Sequence, residues 1–157
     1  MATATEIERK FLVAEMPDLA AAKAVEIRQG YVTRPEDSIE VRLRQKGESY
    51  FLTIKSGSGM VRGEHESEIS RDAFETLWPA ASGTVDKVRW TGKLDDGSVF
   101  ELDVFSGDLA PLVVVEVEFD SVEAAHAFVP PAWFGPDVSG DKAYSNKVMA
   151  FRDRPAG

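Results

Sequence analysis

Charged and apolar residues alternate with a period of two along most of the segments that could form β-strands. In the first such segment, Glu6, Glu8 and Lys10 share one face of an extended chain. The intervening Arg9 points to the opposite face. One segment of this kind is usually a strand with a solvated face. Because seven of the eight strand candidates carry charge at this period, the pattern indicates a fold that gathers the charged faces together.

Turn residues bound most of the segments that have strand composition. The eight strand candidates span residues 6–11, 25–33, 38–46, 50–55, 62–68, 84–91, 99–104 and 112–119. Four shorter segments are predicted to be helical, at residues 19–24, 71–78, 122–128 and 142–151. Ser70 and Asp120-Ser121 are suitable N-caps for the second and third of these helices. We predict one domain over residues 1–157, with a frayed tail at 152–157.

The charged strand faces can be arranged in two ways, as an open sheet with a solvated face or as a closed barrel with the charge inside. An open sheet of eight strands would need its apolar face covered, and the few short helices are too small for that. A closed barrel, in addition, leaves no strand edge unpaired. We therefore predict an α+β, mainly antiparallel fold, in which a closed eight-stranded β-barrel has a charged interior and a few short helices outside. The aligned charged positions are Glu6, Glu8, Glu40, Glu64, Glu66, Glu68, Glu101, Asp103, Glu116 and Glu118, with Lys10, Arg42, Arg44, Lys55, Arg62, Lys87 and Arg89.

A charged interior is expensive to desolvate, so it should be wet or filled by a ligand. Seven basic side chains in one cavity suit an anion that carries several charges. The carboxylates beside them would pair with these bases or hold divalent cations that bridge to the anion. This division of roles matches phosphoryl transfer, and a triphosphate chain with two metal ions suits the lining best, although composition alone does not identify it.

The composition limits which metal ions and which classes of binding partner are expected. The chain has no cysteine and only two histidines, His65 and His126, so oxygen ligands and a hard cation such as Mg²⁺ or Mn²⁺ are favoured. The net charge of -9 argues against a general nucleic-acid binder. The sequence shows neither a secretory leader nor an apolar run long enough for a membrane helix, so a soluble cytoplasmic protein is expected. Outward apolar faces make a homodimer plausible.

The charged strand motifs, taken in order, resemble those of a known family. They are ExExK at Glu6, Glu8 and Lys10, RxR at Arg42 and Arg44, Lys55, Arg62 with Glu64 and Glu66, KxR at Lys87 and Arg89, ExD at Glu101 and Asp103, and ExE at Glu116 and Glu118. This series resembles the CYTH domain of the triphosphate tunnel metalloenzymes and covers essentially the whole chain. The chain looks most like the short bacterial members that hydrolyse inorganic triphosphate.

The resemblance implies a β-tunnel that binds triphosphate lengthwise and holds divalent cations, Mg²⁺ or Mn²⁺ and two in number. Carried over residue by residue, it implies metal ligands at Glu116 and Glu118 with Glu8 or Glu6 opposite. The wider metal set adds Glu64, Glu66 and Asp103. Substrate contacts are expected from Lys10, Arg42, Arg44, Lys55, Arg62, Lys87, Arg89 and Lys147. Lys10 and Tyr31 match a lysine and tyrosine pair near the attacking water, although a packed strand aromatic is an equal alternative for Tyr31.

The sequence is also compatible with other roles for two acidic residues and with other functions for the protein. Glu40 and Glu68 suit salt bridges as well as metal binding, and they are left out of the metal set. Within the same family, a class IV type adenylyl cyclase or a thiamine or nucleoside triphosphatase would need the same grip on phosphate. A non-catalytic polyphosphate or nucleotide binding module would bind without turnover. A plain barrel with a salt-bridged lining would bind no polyanion at all.

Overall fold

The structure is a computed structural model that describes residues 2–57 and 61–151. The strands of this part are β1 (Ala2–Val13), β2 (Lys23–Tyr31), β3 (Ile39–Lys46), β4 (Ser49–Ser56), β5 (Val61–Ile69), β6 (Gly83–Lys93), β7 (Val99–Phe105), β8 (Val113–Glu118) and β9 (Phe134–Asp137). The helices are α1 (Arg71–Leu77), α2 (Val122–Ala127) and α3 (Asn146–Ala150), with 3₁₀ turns at Trp78–Ala80, Gly107–Leu109 and Lys142–Tyr144. None of these helices is long and apolar enough to cross a membrane. The tail predicted at 152–157 lies outside the described residues.

The long first strand closes the barrel by pairing with two different strands. Its first half, Ala2 to Ile7, pairs antiparallel with β5, and its second half, Glu8 to Leu12, pairs antiparallel with β8. The ring therefore runs β1-β5-β4-β3-β2-β6-β7-β8 and back to β1, with every pairing antiparallel. This closed ring confirms the predicted eight-stranded barrel. The short β9 adds to β1 alone, through the pair Phe11 and Asp137.

An apolar layer covers the outside of the barrel over β1, β7 and β8. Its buried residues are Phe11, Phe100, Leu102, Val115, Val117, Phe128 and Phe134. The ring of Phe11 packs against Phe134 of β9 and Phe128 at the end of α2. Its centroid lies 5.0 Å from that of Phe134 and 6.1 Å from that of Phe128. Each fully buried side chain of this size contributes about 1.5–3 kcal/mol. The cover that a barrel with a polar interior needs on its outer face comes here from α2 and the segment around β9.

A second apolar cluster fills one end of the barrel interior. It joins Tyr31, Val85, Phe105 and Val114 from the strands to Met149 and Ala150 of α3, together with Leu109. The strand residues lie two positions from charged ones, because Val85 precedes Lys87 and Val114 precedes Glu116 on the same faces. The inward face thus changes from apolar to charged along each strand. As a result, α3 and this cluster close one end, and the charge is concentrated in the remaining interior.

Two predicted helices differ from the structure. Residues 19–24 form a turn rather than a helix, and Lys23 already pairs with Thr91 of β6. So short an alanine-rich segment gains little from helix propensity, whereas strand pairing adds hydrogen bonds along all of β2. The helix predicted at 142–151 is divided by Ser145, whose hydroxyl accepts a hydrogen bond from Val148 N at 3.3 Å and caps α3.

The sequence predicts helix caps and tight turns more accurately than it predicts the two helices at 19–24 and 142–151. Ser70 Oγ accepts a hydrogen bond from Ala73 N, and Ser121 Oγ accepts one from Ala124 N, each at 3.0 Å. These bonds confirm both predicted N-caps. The Asp95-Asp96-Gly97 turn closes the β6–β7 hairpin with Gly97 at φ 90°, a conformation that favours glycine. The sequence did not indicate β9, a four-residue strand that contains Pro136 and forms only against β1.

Candidate active site

A cavity of about 160 Å³ lies inside the barrel, and charged side chains form most of its wall. The basic residues of the wall are Lys10, Arg42, Arg44, Lys55, Arg62, Lys87 and Arg89. The acidic residues are Glu6, Glu8, Glu40, Glu64, Glu101, Glu116 and Glu118. Gln29, Tyr31, Ser145 and Asn146 complete it. Strand alternation alone places the charged residues here, because residues two apart on one strand point to the same face.

Seven bases therefore face seven acids in the cavity wall. Most of these groups are ion-paired with one another. Lys55 Nζ lies 3.0 Å from Glu6 and 3.2 Å from Glu64, joining three strands. Arg62 lies 2.6 Å from Glu8. The lining is formally neutral, so any anion that enters must compete with carboxylates for the bases.

Two arginines of β3 form the most positive part of the wall. Burial, and then the charges of Arg42 and Arg89, lower the pKa of Arg44 to about 10. The ion pairs of the two β3 arginines are long, with 3.3 Å between Arg42 and Glu40 and 3.4 Å between Arg44 and Glu66. Within the described residues, the buried Nε atoms of both arginines have no hydrogen-bond partner. Unsatisfied buried donors beside repelling cations are suited to binding the oxygens of an anion.

Arg62 Nε and the buried Thr53 hydroxyl are also without a hydrogen-bond partner in this part of the chain. Thr53 pairs with Arg42 across β3 and β4 and with Glu66 across β4 and β5. The unsatisfied polar atoms thus lie on three neighbouring strands, β3, β4 and β5. This side of the barrel is the one best supplied with free donors.

Lys87 and Arg89 of β6 share one buried carboxylate. Arg89 binds both oxygens of Asp103, at 2.8 and 2.9 Å, and Lys87 Nζ lies 2.7 Å from the same carboxylate. Burial lowers the pKa of Lys87 to about 8, although the charge of Asp103 opposes that shift. Asp103 does not form part of the cavity wall, and its position is that of a counter-ion to the two bases. Its predicted role as a metal ligand therefore has little geometric support.

The most acidic part of the wall lies where β1 meets β8. The pairing sets Glu8 against Glu118 and Lys10 against Glu116. Burial, and then the charge of Glu116, raise the pKa of Glu8 to about 8. Burial also raises the pKa of Glu118, and the charges of Glu6 and Glu101 add to the rise. Carboxylates whose pKa values are raised by their neighbours are destabilised as anions, and a bound cation would relieve the repulsion.

Glu116 behaves differently from its two neighbours. Burial alone would raise the pKa of Glu116, but Lys10, Arg89 and a hydrogen bond with Glu8 hold it well below its ordinary value. Glu116 is therefore held as an anion, and Glu8 is the carboxyl of this hydrogen-bonded pair that takes up a proton more readily. With both groups ionised, two adjacent carboxylates would offer oxygen atoms as ligands.

The predicted lysine and tyrosine pair lies in the cavity wall. Lys10 Nζ donates a hydrogen bond to the carbonyl oxygen of Tyr144 at 3.0 Å. The Tyr31 hydroxyl accepts one from Gln29 Nε2 at 2.8 Å. Tyr31 is fully buried, and burial, with the charge of Glu40 next, raises its pKa far above the ordinary value. Tyr31 is thus a neutral phenol that can donate a hydrogen bond, and it is not a base.

The remaining predicted residues lie at or beyond the edge of this cavity. Lys147 lines an adjoining cavity of about 580 Å³, which shares Glu8, Lys10 and Arg62 with the first. Glu66 is outside the cavity wall and is paired with Arg44. As predicted, Arg9 points away from the interior, where it binds Asp137 at 2.9 Å.

Five wall residues were absent from the predicted site, namely Gln29, Glu40, Glu101, Ser145 and Asn146. The first three continue the period-two pattern of their strands, so the sequence carried a usable signal for them. Gln29 is two residues before Tyr31, and Glu101 two before Asp103. Ser145 and Asn146 follow no such pattern. They reach the cavity only because the end of the chain folds back onto the barrel.

The carboxylate oxygens of the cavity wall are suitable ligands for a hard cation, but among the described residues their present arrangement does not form a metal site. Within residues 2–57 and 61–151, no group of three or more histidine, aspartate or glutamate side chains is arranged to hold a metal ion. The carboxylates of the wall are instead turned toward bases, as Glu8 is toward Arg62. All the acidic groups offer oxygen, which Mg²⁺ and Mn²⁺ prefer. Ligation would therefore require carboxylates to exchange a base for the cation.

Comparison with known proteins gives consistent results. The model of the CYTH domain family matches residues 4–129. An inorganic triphosphatase of Nitrosomonas europaea is 58% identical over 147 residues, which are 93% of this chain and 97% of that protein. An inorganic triphosphatase of Acetivibrio thermocellus is 35% identical over 147 residues, 92% of each chain. A crystal structure of an inorganic triphosphatase is 55% identical, with a TM-score of 0.74, over 97% of this chain and 98% of that one.

Proposed function

Because the chain belongs to the CYTH domain family, as its strand motifs predicted, we propose that it is a metal-dependent triphosphatase. The reaction is hydrolysis of inorganic triphosphate to diphosphate and phosphate inside the barrel. The observation that carries the proposal is a closed barrel interior lined by seven basic and seven acidic side chains. Two relatives named inorganic triphosphatase, at 58% and 35% identity, support the choice of substrate.

Charge balance explains why the reaction should depend on a metal. The lining is neutral before substrate enters, so a triphosphate anion that takes the bases leaves their carboxylate partners uncompensated in a buried site. Those carboxylates would hold divalent cations, whose charge would restore the balance. When bound, they would also orient the phosphate chain and neutralise charge as the bridging bond breaks. We propose Mg²⁺ or Mn²⁺, with two ions.

The roles of the side chains follow from their positions. Glu8, Glu116 and Glu118, with Glu6 and Glu64 beside them, are proposed as the carboxylates that hold cations. Glu66 and Asp103 are reassigned as counter-ions to Arg44 and to the Lys87–Arg89 pair. The proposed phosphate contacts are Lys10, Arg42, Arg44, Lys55, Arg62, Lys87 and Arg89. Lys147 is assigned to the adjoining cavity, where it would attract the entering anion.

Hydrolysis needs a water molecule aligned with the bond that breaks. The water oxygen attacks a terminal phosphorus atom, the bond to the bridging oxygen breaks, and diphosphate leaves with that electron pair. The bases of the wall hold the non-bridging oxygens and stabilise the charge that develops on them. Lys10 and Tyr31 are proposed to position the water or the terminal phosphate by donating hydrogen bonds. One proton of the water stays with its oxygen on the phosphate product, and the other is released to solvent.

Other triphosphates are the nearest alternatives. An adenylyl cyclase, or a thiamine or nucleoside triphosphatase, would use the same grip on the phosphates and would also have to accommodate an organic group. The free volume of about 160 Å³ in the charged cavity favours a substrate without one. A binding module of the same fold would hold triphosphate and release nothing.

A phosphate-release assay tests the proposal. The purified protein is incubated with inorganic triphosphate, ATP or thiamine triphosphate, in Mg²⁺ or Mn²⁺, with and without EDTA. We expect turnover of inorganic triphosphate that EDTA abolishes, and less turnover of the other two. Formation of cyclic AMP from ATP would indicate a cyclase, and no turnover of any triphosphate with either metal would overturn the proposal.

Two further assignments belong to the same proposal. We place the activity in the cytoplasm, in agreement with the absence of a membrane-crossing helix among the described residues. A homodimer would bury outward apolar residues that are 39–46% exposed, such as Val32 just after β2 and Ile39 and Ile54 on the adjacent β3 and β4. Sedimentation velocity would determine the oligomeric state directly.

A further inference from the structure

The end of the chain contributes to the cavity although it lies beyond residues 4–129, which the family model matches. We call residues 138–151 the closing segment. Its backbone is attached to β1, where Val138 N donates to the carbonyl of Lys10 at 2.8 Å. From there, Ser145 and Asn146 reach the cavity wall, and Met149 and Ala150 fill the barrel end. The closing segment therefore forms one side of the substrate site.

Two lysines of the proposed phosphate site bind to this segment. Lys10 Nζ donates to the Tyr144 carbonyl, and Lys87 Nζ donates to Asn146 Oδ1, each at 3.0 Å. Lys87 is the more constrained of the two, since its side chain is only 1% exposed and also contacts Asp103 at 2.7 Å. Its ammonium group thus lies between a carboxylate on β7 and an amide on α3.

We propose that Asn146 is a positioning residue that holds the Lys87 ammonium for a phosphate oxygen, an inference that rests on the proposed function. An ammonium has three N–H donors. Asp103 and Asn146 take two of them from different elements, which leaves the third for the substrate. Without Asn146 the ammonium would be drawn to Asp103, which already binds Arg89 through both oxygens.

The amide is suited to this role because it accepts a hydrogen bond without adding charge. A carboxylate at the same position would give Lys87 two counter-ions and would repel an entering phosphate. An apolar side chain of equal size would leave the ammonium with one partner. Only a neutral acceptor both fixes Lys87 and leaves its positive charge available to the anion.

A double-mutant cycle between Asn146 and Lys87 tests this inference. The affinity of a methylene-bridged, hydrolysis-resistant triphosphate is measured by calorimetry in Mg²⁺ for wild type, Asn146→Leu, Lys87→Met and the double variant. We expect Asn146→Leu to weaken binding about tenfold in the wild-type background, the scale of one charge-assisted hydrogen bond. In the Lys87→Met background the same change should have almost no effect. Asn146→Asp should weaken binding further than Asn146→Leu.

Met149→Leu is the matched control, since it changes apolar packing on the same helix and Met149 belongs to the apolar cluster and lines neither the charged cavity nor the adjoining one. It should lower the melting temperature and leave the dissociation constant within about twofold of wild type. Equal losses from Asn146→Leu in both backgrounds, or no loss in wild type, would overturn the inference. Binding of the analogue without turnover of triphosphate would overturn the proposed hydrolysis alone, and no binding by wild type would overturn both.

Discussion

The two carboxylates of β8, Glu116 and Glu118, differ in their relation to the basic side chains of the wall. Within the described residues, Glu118 takes part in no ion pair, and its pKa is raised by burial and by three other glutamates. Glu116 is an anion supported by Lys10 and Arg89. Other acids, such as Glu40 and Glu101, are each paired with an arginine. Glu118 is therefore the wall carboxylate most available to a cation, and Glu116, which contacts Arg89 at 3.6 Å, lies two residues before it on the same strand face.

Glu116→Gln and Glu118→Gln are each expected to reduce metal-dependent turnover by more than about a hundredfold, since loss even of an outer-shell metal partner costs up to that factor. Replacement of a carboxylate by an amide keeps the size and the strand pairing, so both variants should fold. The melting temperature should change little for Glu118→Gln and should fall for Glu116→Gln, which removes a buried charge beside Lys10 and Arg89. Glu123→Gln, at an exposed position of α2, is the matched control and should keep wild-type turnover. Wild-type rates in both β8 variants would refute their assignment as ligands.

Lys87 should make triphosphate binding depend on pH. Burial lowers its pKa to about 8, so the free protein loses this charge as the pH rises through that value. Binding of the anion favours the charged form. Affinity should thus be constant well below pH 8 and fall above it, by at most about tenfold per pH unit. The dissociation constant of the methylene-bridged analogue, measured across this range, gives the profile.

Lys87→Arg is the control for this profile because arginine stays charged at every pH in the range. The loss of affinity above pH 8 should be absent or much smaller in that variant. A parallel decline in both proteins would trace the effect to a group other than Lys87 and would contradict the role of Lys87.

At the scale of elements, one outward side chain connects β1 to the layer that covers it. The Arg9 guanidinium donates to the carbonyl of Ala125 in α2 and to the carboxylate of Asp137 in β9, both at 2.9 Å. It also lies over the ring of Phe11, 4.9 Å from the centroid. Arg9 lies between Glu8 and Lys10, which line the charged cavity, but its own side chain contacts only the outer layer, because neighbouring residues of a strand face opposite ways.

Arg9→Leu should separate stability from activity. Loss of the two hydrogen bonds is expected to lower the free energy of unfolding by about 1–3 kcal/mol. Turnover per folded molecule should stay within about twofold, because Arg9 does not reach the cavity. Urea unfolding and the phosphate-release assay measure the two quantities. Arg71→Leu, at an exposed site of α1, is the control for stability, and a large loss of turnover in Arg9→Leu would contradict the separation.

The whole molecule combines a barrel closed at one end with a neutral, ion-paired interior. Opposite charges meet across strand pairs that are far apart in sequence, as in the contact of Arg62 with Glu8. Within the described residues most of the buried charges have a nearby opposite one, which offsets part of the cost of their desolvation when no ligand is bound. The same balance means that an anion or a cation alone disturbs the site, whereas both together preserve neutrality.

Thermal unfolding should reveal this coupling. The hydrolysis-resistant triphosphate with Mg²⁺ should raise the melting temperature markedly, since ligand at a hundred times its dissociation constant adds about 2.7 kcal/mol. The analogue in EDTA, or Mg²⁺ alone, should give a much smaller shift. Equal shifts with and without Mg²⁺ would contradict the proposed charge balance.

What the sequence determined by itself is the alternation of charge on the strands. Alternation is a local property with a period of two, so it assigned Lys10, Arg42, Arg89 and Glu116 to one interior without knowledge of strand order. The alternation also predicted a closed barrel, because closure gathers the charged strand faces inside and leaves no strand edge unpaired. The same signal extends to Glu40 and Glu101, which also line the cavity.

Only the tertiary structure decided which charges meet, which end of the barrel is closed and what the end of the chain contributes. Asn146 carries no periodic signal, and it reaches Lys87 because the closing segment pairs with β1 and packs into the barrel. The burial of Asp103 behind two bases follows from the β6–β7 register. Contacts of this kind depend on the distance between remote residues, which no local pattern specifies, whereas the face of a strand is set by the backbone itself.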